Sequence, residues 1–478
     1  MRFLNFFGFA SKFFFARSPR GVAAALLLTF LTFGLASPRT YAVTEPLTID
    51  APAVVLLDNA TGEIFYADNE FTRSDPASLV KLMTAILAAE AVERGATSYD
   101  APVTASDTFM HDVTWDATSI GIVTGETLPL EELLYATLVA SASEASNVIA
   151  EHLAGTTELF VELMNAKAEQ LGCVDTQFAN SHGLPNSKQY SSAYDMALIS
   201  REFLSHSTLA RIANTVKHTV PETNKHKERT FTTTNYLLRE THTRYYYKYA
   251  VGLKTGSTGA AGFCLASSAE RNGIHVVGVI LGAKAVETEE KDVFEIQSFI
   301  EMKKLFNWFF DNYEYRTLLN PTELIQSIKV NQASGTDSVV IRPESGLGSI
   351  LPKDTEIEDI TRRITVFSEA EGAAALSAPI ERGQLLGEIS LEYNGKIFGP
   401  VPLIANTDVE RSETAYFFAQ AKAALNQTWI KLTIVFAVVL IGLYAWFSIR
   451  RASIRAKRRK ARKAVDLESV RWNGSDGE

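Results

Sequence analysis

The run from Leu432 to Ile449 contains no charged residue, is rich in Leu, Ile and Val, and is long enough to cross the hydrocarbon core of a bilayer. It reads as a transmembrane helix, so the rest of the chain must fold on one side of a membrane or the other. Trp429, Tyr444 and Trp446 fit the aromatic belt at the two interfaces. Arg450, Arg451, Arg455 and the basic run from Lys457 to Lys463 then place the C-terminus in the cytoplasm. A buried core helix would need globular sequence after it, and the residues beyond Ile449 form a basic tail instead.

The other end carries the matching signal. The first 42 residues contain no acid, set Arg17 and Arg20 ahead of an apolar run from Gly21 to Ala36, and end in Thr40-Tyr41-Ala42. Basic, apolar and small residues in that order make an export signal, cut after Ala42, with an uncleaved anchor as the alternative. The net charge of −9 conceals an asymmetry, because leader and tail hold 15 of the 46 Lys and Arg. Between the leader and the membrane segment, 30 basic residues face 51 acidic ones. An exported part near −21 argues against nucleic-acid binding.

Two cysteines, Cys173 and Cys264, are too few for a disulfide scaffold. Both lie in apolar surroundings, which suggests buried free thiols, with one disulfide the other reading. No His/Cys/Asp grouping has zinc-ligand spacing, so neither a metal nor another cofactor is expected.

Local patterning divides the exported part. Val54 to Leu57 and Ile64 to Ala67 flank Asp58-Asn59-Ala60-Thr61-Gly62 and read as a hairpin. A helix is predicted from Pro76, where proline suits the first turn and Leu79, Leu82, Met83, Ile86 and Leu87 recur at helical spacing. Leu130 to Leu171 is helical again. Gly262 to Ser268 and His275 to Leu281 form a second hairpin about Asn272-Gly273. An amphipathic helix over Val293 to Tyr313 closes the unit. From Ile325 to Leu403, short β-like runs such as Ser338 to Ile341 and Ile389 to Tyr393 indicate a separate small β domain. The expected parsing is a leader over 1–42, a catalytic domain over 43–313 and a small β-sandwich-like domain over 314–410. A stalk over 411–428, a membrane helix over 429–449 and a basic tail over 450–478 complete it.

The chemistry begins at Ser78-Leu79-Val80-Lys81. Residues three apart on a helix share a face, so Lys81 reaches the Ser78 hydroxyl. A serine needs a base to remove its proton, and an amine kept neutral by burial and a neighbouring cation supplies one. Backbone N–H groups of a first helical turn can hold an oxyanion there. Alone this pattern is weak, since ordinary Ser and Lys usage gives about one S-x-x-K by chance in a chain this long. Lys254-Thr255-Gly256 offers a cation and a hydroxyl for the anionic end of a substrate, and a glycine for close backbone approach. Ser141-Ala142-Ser143, at a break between helical stretches, offers hydroxyls for proton relay. Singly, each has a structural reading: an exposed lysine, a strand start, a packing of small residues.

In this order the three elements resemble the penicillin-recognising serine acyltransferases, which join S-x-x-K, a Ser-x-Asn-type element and K-T-G. Asp75 to Ala85 looks like the nucleophile segment of D-alanyl-D-alanine carboxypeptidases, the low-molecular-mass penicillin-binding proteins. Leu133-Leu134-Tyr135, Asn180 to Pro185, Tyr194 to Ala197 and Gly252 to Thr258 are similar to its other signatures. The resemblance covers about Ala53 to Asn312, and Ile325 to Asp408 resembles the domain found after the catalytic one in that family.

The resemblance implies an α/β fold of the β-lactamase/transpeptidase type, an antiparallel sheet flanked by helices plus a helical subdomain, then an all-β domain. It implies Ser78 as nucleophile on the bond between two D-alanines and Lys81 as general base, with Ser141 and Lys254 completing a proton relay. The amides of Ser78 and Ser257 would form the oxyanion hole, while Ser143, Thr255 and Gly256 would bind substrate. Stem peptides of peptidoglycan ending in D-Ala-D-Ala would be the substrate and β-lactams inhibitors, with no cofactor. His182 is expected to shape a loop.

Two departures stand out. Ser143 occupies a position where the family usually has Asn, with Asn147, one helical turn on, as a surrogate amide. The basic residue that many members use near the substrate carboxylate is missing from Val286 to Glu290, leaving Lys284 or Lys291 as substitutes. A catalytically degenerate wall-binding protein and a β-lactamase are the competing readings, although no segment resembles a lactamase deacylation loop.

Overall fold

The computed structural model describes residues 47–290 and 293–472; the export-leader reading falls outside them. The chain divides into two compact units at Trp308/Phe309.

In the first unit, β1 (Ala53–Asp58) and β2 (Ile64–Asp68) form the expected hairpin. Every residue of β1 is buried, as its unbroken apolar run requires of a central strand. The second hairpin, β4 (Gly262–Arg271) and β5 (Ile274–Ala283), also forms. Its turn residues Asn272 and Gly273 both have positive φ, 54° and 77°, the geometry that Asn-Gly favours in a two-residue reversal. With β3 (Ala250–Thr258) these strands make a five-stranded antiparallel sheet in the order β2-β1-β5-β4-β3. Strand β3, which carries Lys254 to Ser257, lies on the sheet edge.

Helices supply the other layer, and here the structure refines the sequence pattern. The helix predicted from Pro76 opens with a 3₁₀ turn, Ala77–Val80, before α1 (Lys81–Glu93) begins. The stretch from Leu130 to Leu171 is three helices: α2 (Leu130–Leu138), α3 (Ser143–Ala154) and α4 (Thr157–Gln170). Ser141, at φ 65°, and Gly155, at φ 84°, separate them. Left-handed backbone cannot continue a helix, so each residue redirects the chain. A further helix, α5 (Ala193–Ser205), packs against β1 and β5. The helix expected over Val293 to Tyr313 is α6 (Gln297–Asn312), because Phe294–Ile296 pairs as a short strand with Ala285–Glu287. A Cβ at Gly278 of β5 would lie 2.5 Å from the Met302 sulfur, so the bare glycine lets α6 approach the sheet. Leu79, Leu82, Met83, Leu133, Leu134, Val148 and Ile149 join Val55 and Leu57 in one core cluster.

The second unit contains another five-stranded antiparallel sheet. It is built from Gln326–Lys329, Ser338–Pro343, Lys396–Ala405, Leu385–Tyr393 and Thr361–Val366, in that spatial order. Val339, Ile341, Ile389, Leu391 and Leu403 form its core. The segment expected as a plain stalk is helical over Glu413–Asn426, where the Ser412 hydroxyl accepts the Ala415 N–H as an N-cap. The last helix runs without a break from Thr428 to Trp472, so it continues through the basic run rather than ending with the apolar segment. None of its apolar window is buried within the protein, and its length and composition suffice to cross a membrane.

Candidate active site

Ser78 sits in the 3₁₀ turn, where the Asp75 carboxylate accepts the Ala77 N–H (2.9 Å) and Leu79 N–H returns to the Pro76 carbonyl (3.2 Å). Ala77 has a positive φ of 48°, an uncommon conformation for a residue with a Cβ, and its methyl is fully buried. The turn thereby buries Ala77, Leu79 and Val80 and leaves Ser78 as its accessible residue.

Lys81 is completely buried, and its Nζ lies 2.9 Å from Ser78 Oγ, 3.3 Å from Ser143 Oγ and 2.5 Å from the His182 carbonyl. A neutral amine has two N–H bonds and one lone pair. With the two hydrogens given to the His182 carbonyl and Ser143 Oγ, the lone pair is left facing the Ser78 hydroxyl. Burial, and next the charge of Lys254, hold Lys81 well below the usual lysine range, while the Glu144 carboxylate opposes them. Lys254, also fully buried, is lowered by burial to about 7. Its Nζ donates to Ser141 Oγ (2.8 Å) and to the Thr255 carbonyl (2.9 Å). The structure therefore gathers Ser78, Lys81, Ser141, Ser143 and Lys254 from three separated segments.

Strand β3 presents the remaining candidates. A Cβ at Gly256 would lie 2.9 Å from Ser78 N and 3.1 Å from the Pro76 carbonyl, so only glycine lets the strand press against the nucleophile turn. A side chain is equally barred at Gly183 (φ 82°), whose Cβ would fall 2.0 Å from the Ala77 carbonyl. Ser257 is exposed beyond Gly256. The Thr255 hydroxyl pairs with that of Thr234 at 2.6 Å, a partner that sequence reading missed. The run Thr232-Thr233-Thr234-Asn235 was the available signal, but nothing in it specifies a neighbour 21 residues away.

The surrogate role for Asn147 does not hold. Its amide nitrogen donates to the carbonyls of Phe109 (3.1 Å) and His111 (2.9 Å) and to Asp112 (3.3 Å), and its oxygen accepts from Ser181. Four residues on, it keeps roughly the face of Ser143 but sits about 6 Å further along α3, where its amide is taken up by the loop that precedes the site. Lys284 is exposed and lines a cavity of about 920 Å³ with Ser257 and Thr258, whereas Lys291 lies outside the described residues.

Glu144 is buried and holds the loop beside Ser143, accepting from Ser119 Oγ (2.6 Å), Ile120 N (2.7 Å) and Gly121 N (3.2 Å). Cys173 and Cys264 are free and buried, and desolvation raises both thiols to about 12, matching the free-thiol reading. Glu90, Glu202 and His206 converge although their spacing gave no hint of it, but the Lys167 ammonium lies 2.6 Å from both carboxylates. That grouping is an internal ion pair bracing three helices.

Residues 39–285 match the family model described as D-alanyl-D-alanine carboxypeptidase, and residues 313–411 match that of the penicillin-binding protein 5 C-terminal domain. The chain is 30% identical to D-alanyl-D-alanine carboxypeptidase DacF of Bacillus subtilis, over 81% of this chain and 92% of that protein. It is 29% identical to DacC of Escherichia coli, over 82% and 92% of the two chains. Among solved structures, penicillin binding protein 5 from Haemophilus influenzae superposes with a TM-score of 0.57 at 28% identity, covering 77% of this chain and 99% of that one.

Proposed function

The chain belongs to the D-alanyl-D-alanine carboxypeptidase family, and on that footing we propose that its acyl-transfer chemistry runs through Ser78. As a member it is a serine D-Ala-D-Ala carboxypeptidase, a penicillin-binding hydrolase of the cell wall. The observation that carries the assignment is the three-way environment of Lys81, which aims its lone pair at Ser78 Oγ across 2.9 Å.

In this reading the terminal D-Ala-D-Ala of a peptidoglycan stem lies along the free edge of β3, and Ser78 attacks the carbonyl between the two residues while Lys81 takes the hydroxyl proton. The developing oxyanion is met by the backbone N–H groups of Ser78 and Ser257. Ser141, bonded to Lys254, returns a proton to the leaving amine. Thr255, with Thr234 beside it, receives the substrate carboxylate, and water then cleaves the ester at Ser78. A β-lactam enters by the same attack and stays attached, because its acylated form carries no leaving group that diffuses away. Release of D-alanine from a pentapeptide by the purified full-length protein tests the assignment. Absence of release together with absence of β-lactam labelling would favour a wall-binding protein, and rapid turnover of the label a lactamase.

The long apolar helix suits membrane anchoring. The orientation we propose has the catalytic unit outside and the basic tail in the cytoplasm. Protease added to sealed protoplasts should remove the catalytic unit and spare the tail; loss of the tail alone would invert that orientation.

Ser143 gives a sharper test. Its hydroxyl serves Lys81 as an acceptor, but unlike an amide it cannot also extend two N–H donors toward the substrate. Gaining one hydrogen bond in the transition state is worth about 1 kcal/mol, or roughly fivefold to tenfold in rate. Ser143→Asn should therefore accelerate acylation by that factor, measured as the second-order rate of β-lactam labelling. A slower variant of unchanged melting temperature would mean that the site is built around the serine.

A further inference from the structure

We infer that Asp112 is a positioning residue for acylation, acting on Lys81 through His182. This rests on Lys81 being the general base. Orientation of its lone pair depends on where its two hydrogens go, and the shorter of those contacts is to the His182 carbonyl, at 2.5 Å. Whatever fixes that carbonyl fixes the base.

The ring of His182 is fully buried and locked from both sides. The Leu184 N–H donates to its Nδ1 (3.1 Å), so Nδ1 holds a lone pair and the ring proton belongs on Nε2. That proton points to Asp112 Oδ1, 2.9 Å away. Asp112 in turn has a positive φ of 60°, an unfavourable conformation retained where surrounding contacts enforce it. Two side chains supply that enforcement: the Asn147 amide bonds both Asp112 and the adjoining carbonyls of Phe109 and His111, and Ser181 Oγ closes the circuit by donating to Asn147. The Ser181 carbonyl accepts from Thr84, one turn along α1 from Lys81. Helix α3, the Asp112 loop and the Ser181–Leu184 loop are thus tied together around the carbonyl that orients the base.

His182 charges with difficulty: burial lowers its pKa, and the Asp112 carboxylate opposes that only in part. The pair consequently acts as a neutral imidazole donating to a carboxylate. Either an Asp or an Asn oxygen at position 112 accepts that hydrogen, whereas an alanine leaves the imidazole N–H without its partner.

The test uses the full-length protein in detergent and separates the acylation step from non-covalent β-lactam binding by stopped-flow. Asp112→Ala should lower the acylation rate constant roughly tenfold and leave the binding constant unchanged, since the bonds of Asp112 go to His182 and Asn147, neither of which is placed against the substrate. Asp112→Asn should stay within about threefold of the wild type, a rescue that distinguishes the hydrogen bond from the charge. An unchanged acylation constant in Asp112→Ala, a loss confined to binding, or equal damage in Asp112→Asn would each overturn the inference. None of these outcomes touches the site assignment, which stands or falls with acylation of the wild-type enzyme and its loss in Ser78→Ala.

Discussion

Ser78→Ala should abolish both D-alanine release and covalent β-lactam labelling while leaving the melting temperature within a degree or two of the wild type. The substitution removes one oxygen from a residue that its own turn leaves accessible, and the buried Ala77, Leu79 and Val80 keep the turn in place. Losing the hydroxyl also frees Lys81 of one of its three contacts, yet the His182 carbonyl and Ser143 remain to hold it. The loss should therefore be chemical. Losing an activated nucleophile removes the covalent pathway outright, so residual hydrolysis would have to come from water held by the oxyanion hole alone, orders of magnitude slower. A folded Ser78→Ala protein that still labels would reject Ser78 as the nucleophile.

Lys254→Met should slow acylation by roughly two to three orders of magnitude, the usual worth of a positioned proton-transfer group. Its amine is the donor that Ser141 receives at 2.8 Å, and methionine fills a similar volume without replacing that bond. A second effect gives the prediction its sign. The Lys254 charge is one of the influences that lower the Lys81 pKa, so removing it raises the proton affinity of Lys81. Only neutral Lys81 can accept a proton from Ser78. Acylation therefore falls as pH falls through the Lys81 titration, and in Lys254→Met that acid limb should move to higher pH. Because Lys254 itself titrates near 7 in the intact site, the wild-type profile belongs to the lysine pair rather than to either residue. An acid limb that stays in place, or moves lower, would contradict the electrostatic coupling between them.

The parts of this protein that local chemistry dictates were legible in the sequence. Asn272-Gly273 needs no distant partner to form a tight reversal, and the three-residue step from Ser78 to Lys81 brings their side chains together on any helical turn. What stayed hidden depends on chain segments far apart. The backbone at Ala77, Asp112 and Ser141 is left-handed without a glycine, and local propensity argues against that at Ala77 and Ser141 and only occasionally allows it at an Asp. Tertiary contacts hold those residues there, so the break that separates α2 from α3 and the turn that presents Ser78 could be located but not shaped from sequence. The same holds for Thr234 against Thr255, for Asp112 against His182 and for the true partners of Asn147. Counting one helical turn from Ser143 gave Asn147 the right face of α3, but about 6 Å of axial rise delivers its amide to the Phe109–Asp112 loop instead of Lys81.

Whether Ser78 forms the covalent intermediate is decided by mapping a β-lactam adduct on the wild-type protein. Trypsin cuts after Arg73 and Lys81 and so isolates the segment Ser74 to Lys81, in which only Ser74 and Ser78 carry hydroxyls. Fragment masses should place the whole adduct on Ser78, at one per chain, and it should persist through the digestion. An adduct on Ser141, Ser257 or any residue outside that segment, or no adduct on a folded protein, would contradict the account.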